Sequence, residues 1–451
     1  MDNPGKTKGK IHLISLGCPK NLVDSEHMLG ILREQGYSLV SELDEAEVAV
    51  VNTCGFIQPA AEEALDTILE VAEKKEKGSL RRLVVTGCLV QRYGYKLRRE
   101  VPEVDAWLGP GEFPKIAEII ERIKNRREQE APLLVNSPRF LPDHTTPRVM
   151  GTPFYSAFLK IAEGCSHRCS FCVIPSLRGP YRSREIGSLL REAESLVERG
   201  VKEINLIAQD TTMYGRDLDE DYGLEDLLEE MLKVEDISWI RLLYCHPHRI
   251  TDRLLELLDG ENAICPYLDL PLQHVNEEIL KAMGRRYEEE SPRQLVERIR
   301  KKTRNLCLRT TLMVGFPGET DEVFQELCDF VAEAVFDRLG TFIYSPEKGT
   351  KAERLKGAVS KTEAKERLDV LMKIQADVSL KKNQGLIGEV VEVLNEGFHP
   401  ETDMLLRGRT KKMAPDVDGH VIINKGQGRI GDILQVRITE AYDYDLVGEI
   451  V

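Results

Sequence analysis

No apolar run in this sequence approaches the length of a membrane span, and the opening residues, MDNPGKTKGK, are polar with no signal-peptide core. Neither membrane insertion nor secretion is expected, and the expected compartment is the cytoplasm. Basic residues are in deficit, with 62 Lys and Arg against 76 Asp and Glu and a net charge of −14. Broad nucleic-acid binding draws its affinity from phosphate contacts, so this balance argues against it and fits a basic partner better. Cysteine, by contrast, is plentiful: ten residues. In a cytoplasmic chain that number argues against a disulfide framework and for metal or catalytic work. With 451 residues, 41% hydrophobic and 31% charged, the composition is that of a soluble globular protein of two or three domains.

Residues 10–125 alternate short apolar runs with amphipathic stretches. KIHLISLGC, VAVVNTC and LRRLVVTGC have the Val, Ile and Leu content of buried parallel strands, which predicts an open parallel α/β sheet. Each run ends in a cysteine, namely Cys18, Cys54 and Cys88, about one βα unit apart. The carboxyl ends of parallel strands share one edge, where ligands bind, so these thiols are expected to converge. Buried cysteines also serve as small hydrophobes, which explains any one of them but not easily all three. A second cluster site with three protein ligands is the better reading. Asn21, Asp24, Ser25 and Asn52 lie beside these cysteines and suit helix caps and turns as well as an active site.

Residues 126–150 are Pro-rich without periodicity, which predicts a linker whose basic residues are solvated. Across 151–383, six strand-like segments alternate with helical ones, as in a partial (β/α)6 barrel with its chemistry at the strands' carboxyl ends. Gln209, His246, Gln273 and the turn Gly315–Gly318 fall at those ends. For the two glutamines, a ligand and ordinary internal hydrogen bonding are equally good explanations, as are close backbone approach to a ligand and a plain tight turn for the glycines. His246 and His248 are expected to pack near the barrel mouth. Cys245, Cys265, Cys307 and Cys328 lack metal-ligand spacing and are expected in the core. Residues 384–451 read as short strands divided by Gly-rich turns, a small antiparallel β-barrel. From Glu389 to Val451 it carries twelve acidic and seven basic residues, so direct RNA binding is expected to be weak or absent.

The stretch Gly164–Cys172, GCSHRCSFC, organises the chain. Cys165, Cys169 and Cys172 stand in a CxxxCxxC spacing. Three close thiolates suit one iron–sulfur cluster, whose four irons normally take four cysteines. The absent fourth ligand leaves one iron open to a small molecule. The competing reading is structural zinc, with His167 completing a Cys3His set in a colourless, non-catalytic binding protein.

With both triads considered, the chain resembles the radical S-adenosylmethionine (SAM) methylthiotransferases over nearly its full length. LGCPKNLVDSE (16–26), NTCGFI (52–57) and CSFCVIPSLRG (169–179) are similar to the RimO-type branch, which modifies an aspartate on a small-subunit ribosomal protein. The sister branch acts on a tRNA adenosine, and its terminal barrel typically suits RNA. The resemblance implies two 4Fe–4S clusters, with Cys165, Cys169 and Cys172 on the SAM-cleaving one and Cys18, Cys54 and Cys88 on an auxiliary, sulfur-carrying one. It places Phe171, whose backbone would meet the adenine, with Gln209, Gln273 and Gly315 as SAM-pocket candidates. It implies that one SAM methylates cluster-bound sulfur and another gives the radical that takes hydrogen from the aspartate β-carbon. A methylthiotransferase domain (10–125), a radical SAM domain (151–383) and a terminal TRAM barrel (384–451) are expected. So are a basic ribosomal protein as substrate, an external electron donor and a sulfur source.

Overall fold

The computed structural model describes residues 7–451 apart from 79, 126–129, 220–221 and 288. In the first unit, β1 (Lys10–Ser15), β2 (Ser38–Leu39), β3 (Val48–Thr53), β4 (Arg82–Gly87), β5 (Ala106–Leu108) and β6 (Leu133–Leu134) form one sheet in the order 2-1-3-4-5-6. Every pair in it is parallel. Helices α1 (Pro19–Glu34) and α4 (Ile116–Asn125) cover one face, α2 (Gln58–Glu76) and α3 (Cys88–Glu100) the other. Covered on both sides, β3 is buried at every residue, hence its unbroken apolar run. Strand order reverses between β1 and β3, and a crevice opens at the carboxyl ends of that switch point.

Two details depart from the linker expected at 126–150. Leu133–Leu134 pairs with β5 and extends the first sheet. Arg148 is not solvated but buried, its guanidinium 2.5 Å from Glu26 and 2.7 Å from Glu192. A two-residue strand and two tertiary ion pairs leave no periodicity to read.

The second unit begins with β7 (Ser156–Lys160). The short strands β8 (Ala162–Glu163) and β9 (Arg182–Ser183) flank the cysteine loop and α5 (Ile174–Arg178). There follow α6 (Ile186–Glu198), β10 (Glu203–Ile207), α7 (Leu224–Met231), β11 (Trp239–Leu242), α8 (Asp252–Gly260) and β12 (Ile264–Asp269). The series closes with α9 (Glu277–Ala282), α10 (Pro292–Lys302), β13 (Cys307–Val314), α11 (Asp321–Ala334) and β14 (Arg338–Ile343). The six long strands run parallel in the order 14-13-12-11-10-7, with β7 and β14 as free edges, so the barrel is open. The helix α12 (Lys361–Gln384) is more than a connector. Its Leu371 is buried in the central core, with Leu368, Met372 and Ile374 packed against it.

The third unit is a closed barrel of β15 (Val390–His399), β16 (Thr402–Arg409), β17 (Val421–Lys425), β18 (Ile433–Ala441) and β19 (Leu446–Ile450), ordered 15-16-17-19-18. Four seams are antiparallel. The β17–β19 seam is parallel, because β18 carries the chain back before β19 is laid beside β17. The barrel docks through charge: Glu203 lies buried between Arg241 (2.9 Å) and Arg409 (2.7 Å). Among the described residues no helix is long and apolar enough to cross a membrane.

Candidate active site

Three strands of the first sheet each lead into a cysteine at their carboxyl end. Cys18 is the N-cap of α1, Cys54 follows β3 directly, and Cys88 opens α3. Gly17 has φ +91°, and a Cβ on it would stand 2.7 Å from the Cys54 Cβ, so glycine is what lets the first turn close on the second cysteine. Asn21 Nδ2 donates to the carbonyls of Leu16 (2.7 Å) and Thr53 (3.2 Å). Asn52 Nδ2 donates to Asn21 O and Ser25 Oγ, both at 2.9 Å. These side chains clamp the strand ends together. Burial pushes the Cys54 thiol up and Cys88 to about 11, with the neighbouring thiols of the triad adding to both.

The second triad lies on the loop between β8 and α5. Cys165 N–H donates to Gly179 O (3.0 Å), Cys172 N–H to Cys169 O (3.2 Å), and Ser170 N–H to Met283 O (2.8 Å). Burial pushes Cys165 to about 11 and Cys172 to about 12. Thiols drawn together in this way, Cys165 buried and Cys169 and Cys172 half-buried, suit iron, since coordination deprotonates a thiol outright. His167, the candidate fourth zinc ligand, is engaged elsewhere: its Nε2 lies 2.6 Å from Asp210 Oδ2 and its ring stacks on His246 at 4.1 Å. Burial, and then nearby cations, hold the His246 ring neutral.

All six thiols line one cavity of about 380 Å3. Phe171, Gln209 and Gln273 stand in the same wall. Gln273 adopts φ 72°, uncommon for a residue with a side chain, and is pinned there by Gln273 N–H to Thr311 O (2.9 Å) and Met313 N–H to Gln273 O (2.7 Å). Its Oε1 is buried with no hydrogen-bond partner among the described residues, which marks it for a donor on a ligand. Gly315 is placed otherwise. It is outside this wall, and a Cβ on it would lie 2.7 Å from the Ala364 Cβ, so it makes room for α12. His246 is at the mouth as expected, while Cys245 is buried and still reaches the wall.

Three cations of the wall escaped the sequence reading: Lys20, Arg178 and Arg285. Lys20 and Arg178 sit inside the motifs LGCPKNLVDSE and CSFCVIPSLRG, which was the available signal. Arg178 is buried and central. It donates to Asp24 (2.6 Å), Glu163 (3.2 Å), Asn21 (2.8 Å) and the Cys88 sulfur (3.3 Å). Lys160 completes the group, bonded to Asp24 and, at 2.7 Å, to Glu163. Two cations and two carboxylates, mutually hydrogen-bonded, can be buried together where any one alone would be prohibitive. They lock α1 of the first unit to β7 and α5 of the second.

A radical SAM core joined to a second cysteine-bearing sheet and a terminal barrel defines a radical SAM enzyme with two cluster-binding units. Comparisons agree unit by unit. Residues 10–109 match the uncharacterized protein family UPF0004, 159–331 the radical SAM superfamily, and 387–451 the TRAM domain. The ribosomal protein uS12 methylthiotransferase RimO of Geobacter sulfurreducens is 51% identical over 444 residues, 98% of this chain and 99% of that protein. Its counterpart in Geotalea uraniireducens is 50% identical over the same shares. The chain therefore belongs to the RimO family of radical SAM methylthiotransferases. The radical SAM methyltransferase TsrM from Kitasatospora setae shares the fold, with TM-score 0.56 and 17% identity over 76% of this chain and 74% of that one. The family's cofactors are two 4Fe–4S clusters and SAM, and the residues present fit them: two convergent thiol triads, and in the same wall the Gln273 Oε1, unpartnered among the described residues.

Proposed function

We propose that this chain inserts sulfur into the β-carbon C–H bond of an aspartate in ribosomal protein uS12 and methylates that sulfur. Cys165, Cys169 and Cys172 would hold the SAM-cleaving cluster, and Cys18, Cys54 and Cys88 the auxiliary one. Phe171, Gln209 and Gln273 are the SAM-pocket residues of this reading. When bound, the clusters and SAM supply the electron, the radical, the sulfur and the methyl group.

The observation that carries the reading is the meeting of both triads in one cavity. Hydrogen abstraction and sulfur capture act on a single carbon, and separate cavities would oblige the substrate to move between them. The chain's own contribution is positional. Asn21, Asn52 and Arg178 hold the first triad against the second. The acidic terminal barrel favours a basic ribosomal protein over RNA. An external electron donor and a sulfur source complete the reaction, and the cytoplasm is the compartment that offers the substrate.

Anaerobic reconstitution of the parent and of a Cys18→Ala, Cys54→Ala, Cys88→Ala variant tests this. About eight irons are expected in the parent and about four in the variant. The variant should cleave SAM yet transfer no sulfur to uS12. Equal iron content in the two proteins would sink the reading.

A further inference from the structure

The proposed reaction acts on the carbon next to a carboxylate, so the cavity needs a cation with no other carboxylate to serve. Arg178 is already committed to Asp24, Glu163, Asn21 and Cys88. Arg285 belongs to the SAM-cleaving side, donating to Pro271 O at 2.7 Å and facing the Cys169 thiol. Like Lys20, Arg285 has no carboxylate within ion-pair distance among the described residues, and what sets it apart is its place beside Cys169. Lys20 differs from Arg178 in its pairing and from Arg285 in standing beside Cys18. It is only 4% exposed, sits in the first turn of α1 two residues past Cys18, and among the described residues has no carboxylate within ion-pair distance. Its Nζ rests 3.1 Å from the centroid of the Tyr244 ring.

A buried ammonium without a counter-ion is costly, and a ring face returns only part of the lost hydration. The ring itself is fixed in place. Tyr244 has φ 62°, held by its N–H on Asp269 Oδ2 (2.9 Å) and by Thr211 N–H on its carbonyl (3.0 Å). A residue in this sparsely populated conformation, clamped beneath a cation that has no carboxylate partner among the described residues, points to a ligand.

We propose that Lys20 receives the carboxylate of the substrate aspartate on the auxiliary-cluster side of the cavity. The assignment rests on the methylthiotransferase reading. The β-carbon is bonded directly to the carboxyl carbon, so a carboxylate anchored beside Cys18 keeps the reacting carbon within the space lined by both triads. A way in also exists. A second cavity of about 400 Å3 shares Cys18, Tyr244, Pro271 and Thr311 with the first. Its far wall includes Asp416 and Val417 of the terminal barrel, so a loop of the substrate protein can approach along the seam of all three units.

The test compares binding of labelled uS12, and of its variant with asparagine at the target position, to anaerobically reconstituted enzyme. Parent, Lys20→Met and Lys20→Arg proteins are measured side by side, with iron content and SAM-cleavage rate recorded for each. The parent should prefer aspartate by roughly tenfold or more, the weight of one charge-assisted hydrogen bond. Lys20→Met should lose that preference while keeping its iron and its SAM cleavage, and Lys20→Arg should regain part of it. A Lys20→Met protein that retains the full preference overturns the proposal. So does one that loses iron together with the preference, with neither restored by arginine, because Lys20 would then be supporting the cluster. If the parent neither prefers aspartate nor modifies uS12, the substrate reading falls and this role of Lys20 falls with it.

Discussion

The Nε–H of Arg178 points at the sulfur of Cys88, 3.3 Å away and 90 residues earlier in the chain. The same guanidinium binds Asp24 at 2.6 Å. One side chain, placed just after the CxxxCxxC loop, therefore touches a thiol of the other triad and helps to set the distance between the two triads.

Replacing Arg178 by methionine should leave Asp24 and Glu163 sharing only Lys160. Breaking a buried ion group by removing one member costs about 3–5 kcal/mol, to be read in denaturant unfolding of the cluster-free protein. In the reconstituted variant, loss of the cationic donor from the Cys88 sulfur should lower the auxiliary cluster's reduction potential, measured by redox titration with EPR detection. A potential unchanged from the parent would show that the contact has no electronic weight.

Acid should loosen the joints between the units before it unfolds their cores. Burial alone would raise the Glu192 carboxyl, but Arg184 and Arg148 outweigh it and hold Glu192 at about 2. Glu163 and Glu203 are depressed in the same sense, by Lys160 and Arg178 and by Arg409 and Arg241. A carboxylate whose pKa is lowered by folding stabilises the native state above its unfolded value and loses that contribution as pH falls through the folded value. The melting temperature of the cluster-free protein should stay level from pH 7 to about 5, then drop steeply toward pH 2. A level profile across that lower window would contradict the pairing.

Gln273→Asn keeps a residue that tolerates positive φ but withdraws the amide oxygen from the cavity. If that oxygen accepts a hydrogen bond from SAM, affinity for SAM should fall by roughly tenfold while the iron content stays at the parental level. Isothermal titration with a non-cleavable SAM analogue supplies the number.

Gly315→Ala should behave in the opposite way. Its new methyl meets the Ala364 Cβ at 2.7 Å on a backbone with φ +74°, which overpacks the contact with α12 and strains the turn. A stability loss of about 1–3 kcal/mol with unchanged SAM affinity is expected. Weakened SAM binding without a stability loss would return Gly315 to the cofactor site.

Much of this molecule was legible along the chain, because the relevant information lies within a few residues. The CxxxCxxC loop is a local spacing, the strand-end cysteines are local punctuation, and runs such as VAVVNT show burial on both faces without any partner in view. The acidity of the terminal barrel is likewise a matter of counting. Other features depended on three-dimensional pairing. Arg148 reaches Glu26 across 122 residues and Arg409 reaches Glu203 across 206, so neither ion pair leaves a trace in the local pattern. The two-residue strand β6 is too short for periodicity, and the parallel β17–β19 seam follows from strand order. Along the chain Gly315 suits a ligand turn and a plain tight turn equally well, because a glycine's reason, here the methyl of Ala364, lies outside its own segment. The sequence by itself determined which residues could bind iron and which segments form strands. Only the tertiary structure decided that both triads share one cavity and that Lys20 stands in it with no counter-ion among the described residues, because burial and pairing belong to neighbours in space.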